Sequence, residues 1–283
     1  MEHSSRTPAS RPTSGGRVPT SLASPLLEQA GFSHAFFTRA GGVSRPPWDS
    51  LNFAAGTGDD PAAVRENLDR AARILGVPVA RLYFLSQVHG VAAQVVAGDE
   101  DRDEVLRSVG DILVSRAPGV GCGVRTADCV PILIADRASG AVAAIHSGWK
   151  GTVANAAAAG VRAVRDLVGS RGDLLAAIGP HIEACCFEVG AAVAAELAAC
   201  SPVGEAAVIL GDKPRVDLRR IVRAQLEAEG LAAPAIDDVR GCTVSDKDRF
   251  HSYRRDGKVG GRLLSAIVVP ELARLISESS ARA

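Results

Sequence analysis

The sequence predicts an α+β fold, a single domain of mixed β-sheets flanked by helices. Three observations predict it. Short apolar runs of strand length recur along the chain, capped amphipathic stretches lie between some of them, and the two kinds of segment follow no regular βαβ alternation. With 283 residues, 47% of them apolar, the chain has material for a sizeable core. From Pro25 to Pro270 no second low-complexity stretch, repeat or linker divides it, and residues 25–283 are expected to form one domain.

Residues 1–24 are rich in Ser, Thr, Pro, Gly and Arg. They hold too few large apolar side chains to offset the entropy of ordering, and a disordered tail is expected there. A first strand falls at 34–38. The stretch PAAVRENLDRAARIL over 61–75 spaces its apolar residues by three and four, with Asp60 as N-cap and Pro61 at the first helical position, and predicts a helix. Strands follow at 81–87 and 92–96, and the charged run 99–104 reads as a surface loop. Three strands come next, at 120–125, 130–135 and 141–146. An Ala-rich helix over 152–168 closes at Gly169, a strand covers 174–178, and helices cover 189–199 and 218–229. Asp217 caps the last of these helices and Gly230 stops it. A final strand lies at 263–269.

Charge and composition exclude several functions. The chain has 32 Lys and Arg against 32 Asp and Glu, with only 7 Phe, 2 Trp and 2 Tyr. It therefore offers neither the field that holds a polyanion nor the aromatic platforms on which bases stack, and no nucleic-acid partner is expected. No apolar run approaches the ~20 residues that cross a bilayer, and the N-terminus lacks a signal-peptide core. A soluble cytoplasmic protein, monomeric or homodimeric, is expected.

Cys122, Cys129, Cys185, Cys186, Cys200 and Cys242 show no CxxC spacing, which excludes a zinc ribbon or a thioredoxin-like motif. Outside the tail the histidines are His34, His89, His146, His181 and His251. Three reactive side chains stand where a strand stops and a Gly- or Pro-containing turn begins: His89 in LYFLSQVHG, Cys129 in RTADCVPILIAD and His146 in AVAAIHSGWKGT. They lie too far apart in sequence for a local metal motif. Two imidazoles and one thiolate suit a three-ligand zinc site with an open fourth position. They suit a Cys/His hydrolase pair equally. His89 as a structural histidine and Cys129 as a small buried hydrophobe are the plain alternatives.

FFTRAGGVS followed by SLNFA, then QVHG, TADCVP, HSGWKGT, IGP and SYRRDG occur in that order. From Gly31 to Val269 the chain resembles the family called polyphenol oxidase or laccase-domain proteins, whose members are also described as purine nucleoside phosphorylases and as a peptidoglycan editing factor. The resemblance implies a layered αββα-like domain similar to a Cys/His toxin deamidase. It implies His89, Cys129 and His146 as metal ligands and catalytic centre, with zinc bound beside a nucleoside pocket and copper in the older oxidase reading. Phenol oxidation by a copper cluster needs many imidazoles, and a lone blue-copper centre commonly adds an axial Met; the only Met here is the initiator. Zinc fits better.

The expected activity is therefore zinc-dependent phosphorolysis of purine nucleosides (adenosine, inosine, guanosine or methylthioadenosine). Adenosine deamination is a second activity, because zinc lowers the pKa of bound water to about 7. The alternatives are an amidase acting on peptidoglycan precursors, a copper-dependent phenol oxidase and a non-enzymatic metal-binding protein. The substrate partners would be a purine nucleoside and phosphate. Arg39, Lys150, Arg254 and Arg255, each in a Gly-containing loop, are the candidates for holding phosphate. Leu68, His181 and His251 depart from the family pattern. Cys185–Cys186 reads as packing at a strand-to-helix junction or as a redox pair or extra soft ligand, Cys122, Cys200 and Cys242 as core, and His34 as structural. Trp149 reads as packing on the domain or stacking on a purine.

Overall fold

In the computed structural model, which describes residues 18–271, the elements run in the order β1 (Ser21–Leu22), α1 (Pro25–Gln29), β2 (His34–Phe37), α2 (Pro61–Leu75), β3 (Leu82–Tyr83), β4 (Ala93–Val95), α3 (Arg102–Arg107) and β5 (Ile112–Ser115). There follow β6 (Gly121–Thr126), β7 (Val130–Asp136), β8 (Val142–Ser147), α4 (Trp149–Val153), α5 (Ala156–Val168), β9 (Leu174–Ile178) and α6 (Ala191–Ala199). The order closes with β10 (Val208–Ile209), β11 (Arg215–Val216), α7 (Leu218–Ala228), β12 (Ile236–Asp238), α8 (Tyr253–Asp256) and β13 (Leu263–Val268).

Two mixed sheets carry the fold, one ordered β1-β2-β13-β6-β3 and the other β12-β9-β7-β8-β5-β4; β10 and β11 form a separate small ribbon. Strand alternation sorts their side chains into three apolar layers. Leu133 and Ala135 of β7, Ala144 of β8, Val124 of β6 and Ile267 of β13 meet between the two sheets. Ile132 and Ile134 of β7 and Ile145 of β8 point the other way, onto Val161 and Val164 of α5 and Ile221, Val222 and Leu226 of α7. On the far side of the first sheet, Leu264 and Ala266 of β13 and Phe37 of β2 pack on Ala71, Ala72 and Leu75 of α2. The layers run helix, sheet, sheet, helix, in agreement with the α+β expectation. β7 is buried along its whole length because both faces are covered, which is why VPILIAD reads as a continuous apolar run.

Local chemistry sets several boundaries. The Asp60 side chain accepts from the Ala62 N–H at the start of α2, and Gly76 ends the helix at φ 75°. Asp217 accepts from the Arg220 N–H at the start of α7. The expected helix over 152–168 is two helices: Asn155 sits at φ 62° between α4 and α5, and its side chain accepts from the Ala158 N–H to cap the second. The charged run 99–104 is a loop only in its first half, since Asp101 accepts from the N–H groups of Asp103 and Glu104 and starts α3. The assignment of residues 18–24 to a tail is corrected: Ser21 pairs with Phe37 and Leu22 with Phe36, and Ser24 caps α1. Residues 1–17 of that expected tail, and 272–283 of the expected domain, lie outside the described residues.

Two departures from the family pattern, Leu68 and His251, resolve into packing. Leu68 joins the apolar layer under α2, while Asn67 accepts from the Val43 N–H at 2.9 Å and donates to the Asn52 carbonyl at 2.9 Å. His34 is structural: its Nε2 accepts from the Ser24 N–H at 2.8 Å and its Nδ1 pairs with the Phe32 carbonyl at 2.8 Å. Trp149 packs against the α5–α7 layer. His251 is fully buried, and a side chain at Gly261 would collide with its ring. Cys122 is core, whereas Cys200 and Cys242 are only half-buried.

Candidate metal centre

The antiparallel ladder between β7 and β8 sets Pro131 opposite His146 and Val130 opposite Ser147. Cys129, one residue before β7, is thus presented at the same ladder end as His146. His146 falls on the strand face opposite Ile145, away from the helices. β5 lies beside β8, and just before it the Asp111 carbonyl accepts the His146 N–H at 2.8 Å. The third group comes from the loop between β3 and β4, where His89 adopts φ 65°.

The Asp111 carboxylate builds the site. Its Oδ1 pairs with His146 Nδ1 at 2.7 Å and accepts the His89 N–H at 3.0 Å; its Oδ2 accepts the N–H groups of Gly90 at 2.7 Å and Val88 at 3.2 Å. One buried carboxylate therefore fixes the loop that carries His89 and orients the His146 ring. With Nδ1 bonded to Asp111, the Nε2 of His146 is left for a ligand, the usual carboxylate–histidine–metal arrangement. The sequence reading missed Asp111. Its four-residue strand, ILVS, gave no period to mark it, and its partners are distant in sequence.

One ligand atom from each of His89, Cys129 and His146 lies within 4.8 Å of the other two. The imidazole rings stand edge to face, 4.9 Å between centroids. His146 is buried, Cys129 half-buried and His89 exposed, so the centre opens to solvent on the His89 side. The turn after β8 leaves room for it. A Cβ at Gly148 would lie 2.7 Å from His89 Cδ2 and 2.9 Å from Cys129 Sγ, so only glycine keeps this cradle clear. Burial opposes charge on both Cys129 and His146, yet their mutual attraction prevails. The thiol is pulled down to about 6, with hydrogen bonds from both histidines, and His146 is raised to about 9, with Asp111 adding to the Cys129 attraction. Cys129 therefore stands as a thiolate, the form that binds metal.

The four cations expected from the sequence to hold phosphate divide in two. Arg39 donates to the Asp49 carbonyl at 2.8 Å and the Lys247 carbonyl at 3.1 Å, and pairs with the Asp49 carboxylate at 3.2 Å. Arg255 donates to the carbonyls of Thr243, Val244 and Phe250 and to the Asp256 carboxylate. Both brace loops. Lys150 is exposed, its Nζ 5.6 Å from the Trp149 ring, and Arg254 reaches the Glu188 carbonyl at 3.0 Å while lying over Phe187. Arg254 is tied to the centre by its backbone: its N–H donates to Asp128, the residue before Cys129, at 2.6 Å. Arg262, which the sequence reading missed, has its pKa lowered by burial and raised by the charges of Cys129 and Asp128, placing its guanidinium in the field of the thiolate. Its only sequence signal was the GGR that follows the SYRRDG loop.

The donor set fits a mononuclear zinc site: two imidazole nitrogens and one thiolate, a fourth position open, and a carboxylate behind one histidine. A family described as multi-copper polyphenol oxidoreductase laccase matches residues 33–270. The chain belongs to that family. Relatives within reach include a purine nucleoside phosphorylase of Streptomyces coelicolor, 40% identical over 230 residues that cover 81% of this chain and 93% of that protein. A purine nucleoside phosphorylase of Pseudomonas aeruginosa is 42% identical over 230 residues, covering 79% of this chain and 88% of its own. The crystal structure of YlmD from Geobacillus stearothermophilus superposes with a TM-score of 0.83 at 30% identity, covering 92% of this laccase-family chain and 98% of that one.

Proposed function

We propose that this laccase-family protein is a zinc-dependent purine nucleoside phosphorylase that also deaminates adenosine. The observation that carries the reading is the His89, Cys129 and His146 cluster held by Asp111, with Arg262 in the field of Cys129, Arg254 tied by its backbone to Asp128 and Lys150 in the helix that follows His146. The names of the relatives from Streptomyces coelicolor and Pseudomonas aeruginosa support the substrate class. Zinc, when bound, supplies a Lewis acid without redox chemistry. The chain's own groups do the rest. Asp111 locks His146 in one orientation, the Cys129 thiolate supplies the ligand charge, and Arg262, Lys150 and Arg254 are the cations suited to a phosphate. Arg39 and Arg255 act through the loops they brace. Inosine, adenosine, guanosine and methylthioadenosine are the substrates to try. A cytoplasmic location keeps the thiolate reduced.

Copper-dependent phenol oxidation is disfavoured by the ligand count. Among the described residues the cluster holds two imidazoles, and His34, His181 and His251 are absent from it. A multi-copper cluster needs more. One further reading has a specific observation behind it. Asp111, His146 and Cys129 form a chain in which a carboxylate orients an imidazole beside a thiolate, the arrangement of a Cys/His hydrolase. An amidase acting on peptidoglycan precursors would use these three and have no need of His89.

The test is incubation of the zinc-loaded protein with inosine, with and without phosphate, following hypoxanthine. Phosphate-dependent release is expected. Failure to release base from any of the four nucleosides would overturn the proposal.

A further inference from the structure

A second cluster of soft ligands lies outside the centre already described. β9 and β12 are parallel neighbours, with Ile178 opposite Asp238, so the chain leaves both at the same sheet end. The two departing segments stay paired: the His181 N–H donates to the Gly241 carbonyl at 3.1 Å and the Thr243 N–H to the His181 carbonyl at 3.0 Å. Just downstream the first segment turns sharply, the N–H groups of Cys186 and Phe187 both reaching the Glu183 carbonyl. This turn sets Cys185 and Cys186 beside Cys242. The sequence assigned Cys242 to the core, because the pairing that brings it here is long-range.

The sulfurs of Cys185 and Cys186 are 3.5 Å apart, and all three sulfurs of the trio lie within 4.8 Å of one another. Thiolates bound at about 2.3 Å around one metal stand roughly 3.8–4.0 Å from each other in tetrahedral or trigonal geometry. The Cys185–Cys186 separation lies a little inside that spacing, and the Cys242 sulfur is no more than 4.8 Å from either. All three cysteines are free. A bond between Cys185 and Cys186 is disfavoured on geometry, since consecutive Cα atoms are about 3.8 Å apart and disulfides begin at about 4.4 Å.

At Cys242 the surroundings suit anionic sulfur, whereas the packed thiols of Cys185 and Cys186 hold their protons until a cation displaces them. The Cys242 sulfur faces the Ser245 hydroxyl and the backbone N–H groups of Glu183, Val244 and Ser245. Arg215 donates to the Cys185 carbonyl at 3.4 Å, and Arg254 to the Cys186 carbonyl at 3.5 Å. Glu183 is held by Arg219 at 2.9 Å and is not grouped with the sulfurs, so the described ligand set is sulfur alone. An all-thiolate set selects soft ions.

We infer that Cys185, Cys186 and Cys242 form a second metal site, an exposed three-thiolate site for a thiophilic d10 cation. Cu(I) is satisfied by three sulfurs in a plane, whereas Zn(II) would take a fourth ligand from solvent. The site stands independently of the proposed phosphorylase activity, although Asp128 links the two segments: it precedes Cys129 and accepts from the hydroxyl of Thr243, the residue after Cys242, at 2.6 Å.

The full-length reduced protein, loaded with zinc at the first centre, is titrated anaerobically with Cu(I) against a chromophoric Cu(I) chelator, and separately with Zn(II) against a zinc chelator. Wild type is expected to take up one further equivalent of Cu(I). Uptake of Zn(II) instead also supports the site and assigns its ion. Cys185→Ser and Cys242→Ser are each expected to lose that equivalent while keeping the first zinc, which reports on folding; Cys185 is exposed, so its variant does not disturb the core. No further uptake of either ion by wild type, or full uptake by both variants, would overturn the inference.

Discussion

The two cysteine-containing clusters pose the same chemical question and answer it differently. At Cys129 the neighbours are imidazoles, one of them oriented by a buried carboxylate, and the thiol is pulled down to about 6 against its burial. At Cys186 the neighbours are thiols, and burial together with the hydrogen bonds of Cys185 and Cys242 pushes it up to about 12. The first cluster is fixed by strands β7 and β8 and by Asp111. The second hangs on turns beyond β9 and β12. A thiol becomes a standing ligand or nucleophile through its partners and their support, and exposure decides little: the most exposed cysteine, Cys185, is not the most acidic.

The largest expected effect breaks the first cluster. Cys129→Ala should remove its zinc and abolish phosphate-dependent cleavage, checked by metal analysis and hypoxanthine release; stoichiometric zinc in the variant would refute the ligand assignment. Asp111→Asn keeps the volume but weakens the acceptor behind His146, and should lower zinc affinity by about 10–100-fold, the range for loss of a carboxylate behind a metal-bound histidine. A competition titration with a zinc chelator reads this. Gly148→Ala leaves an allowed backbone, φ −71°, but forces a methyl against His89 and Cys129. Overpacking of this kind costs about 1–3 kcal/mol, so zinc affinity should fall by about tenfold or more. Stability to urea should change less than affinity, because the methyl meets the ligands rather than the core. Smallest of all, Cys185→Ser should leave inosine turnover unchanged, since the second cluster supplies no ligand to the first; a steady-state assay checks it.

Much of the fold was legible because its signals are local. Asp60 and Pro61 open α2 and Leu75 ends it as predicted, and Leu174–Ile178 is the predicted strand. His89, Cys129 and His146 were legible as reactive residues at strand ends, and the order of motifs gave them a family. What stayed hidden depends on contacts between distant segments. Asp111 looks like any aspartate until β5 pairs with β8 and turns it toward His146. Cys242 joins Cys185 and Cys186 only through the pairing beyond β9 and β12. Asn155 interrupts an Ala-rich run by adopting a left-handed conformation that residue spacing does not reveal. β1 is two residues long and exists because β2 offers it an edge.

The central claim, that the centre works as a metal site and not as a Cys/His/Asp hydrolase, turns on His89. That residue is exposed, so His89→Ala should leave the fold intact, and it belongs to the zinc set while standing outside the Asp111, His146 and Cys129 chain. The measurement is zinc content and phosphate-dependent inosine cleavage on the same preparation of the variant. The account predicts that both are lost together, and cleavage at the wild-type rate by a zinc-free variant would contradict it.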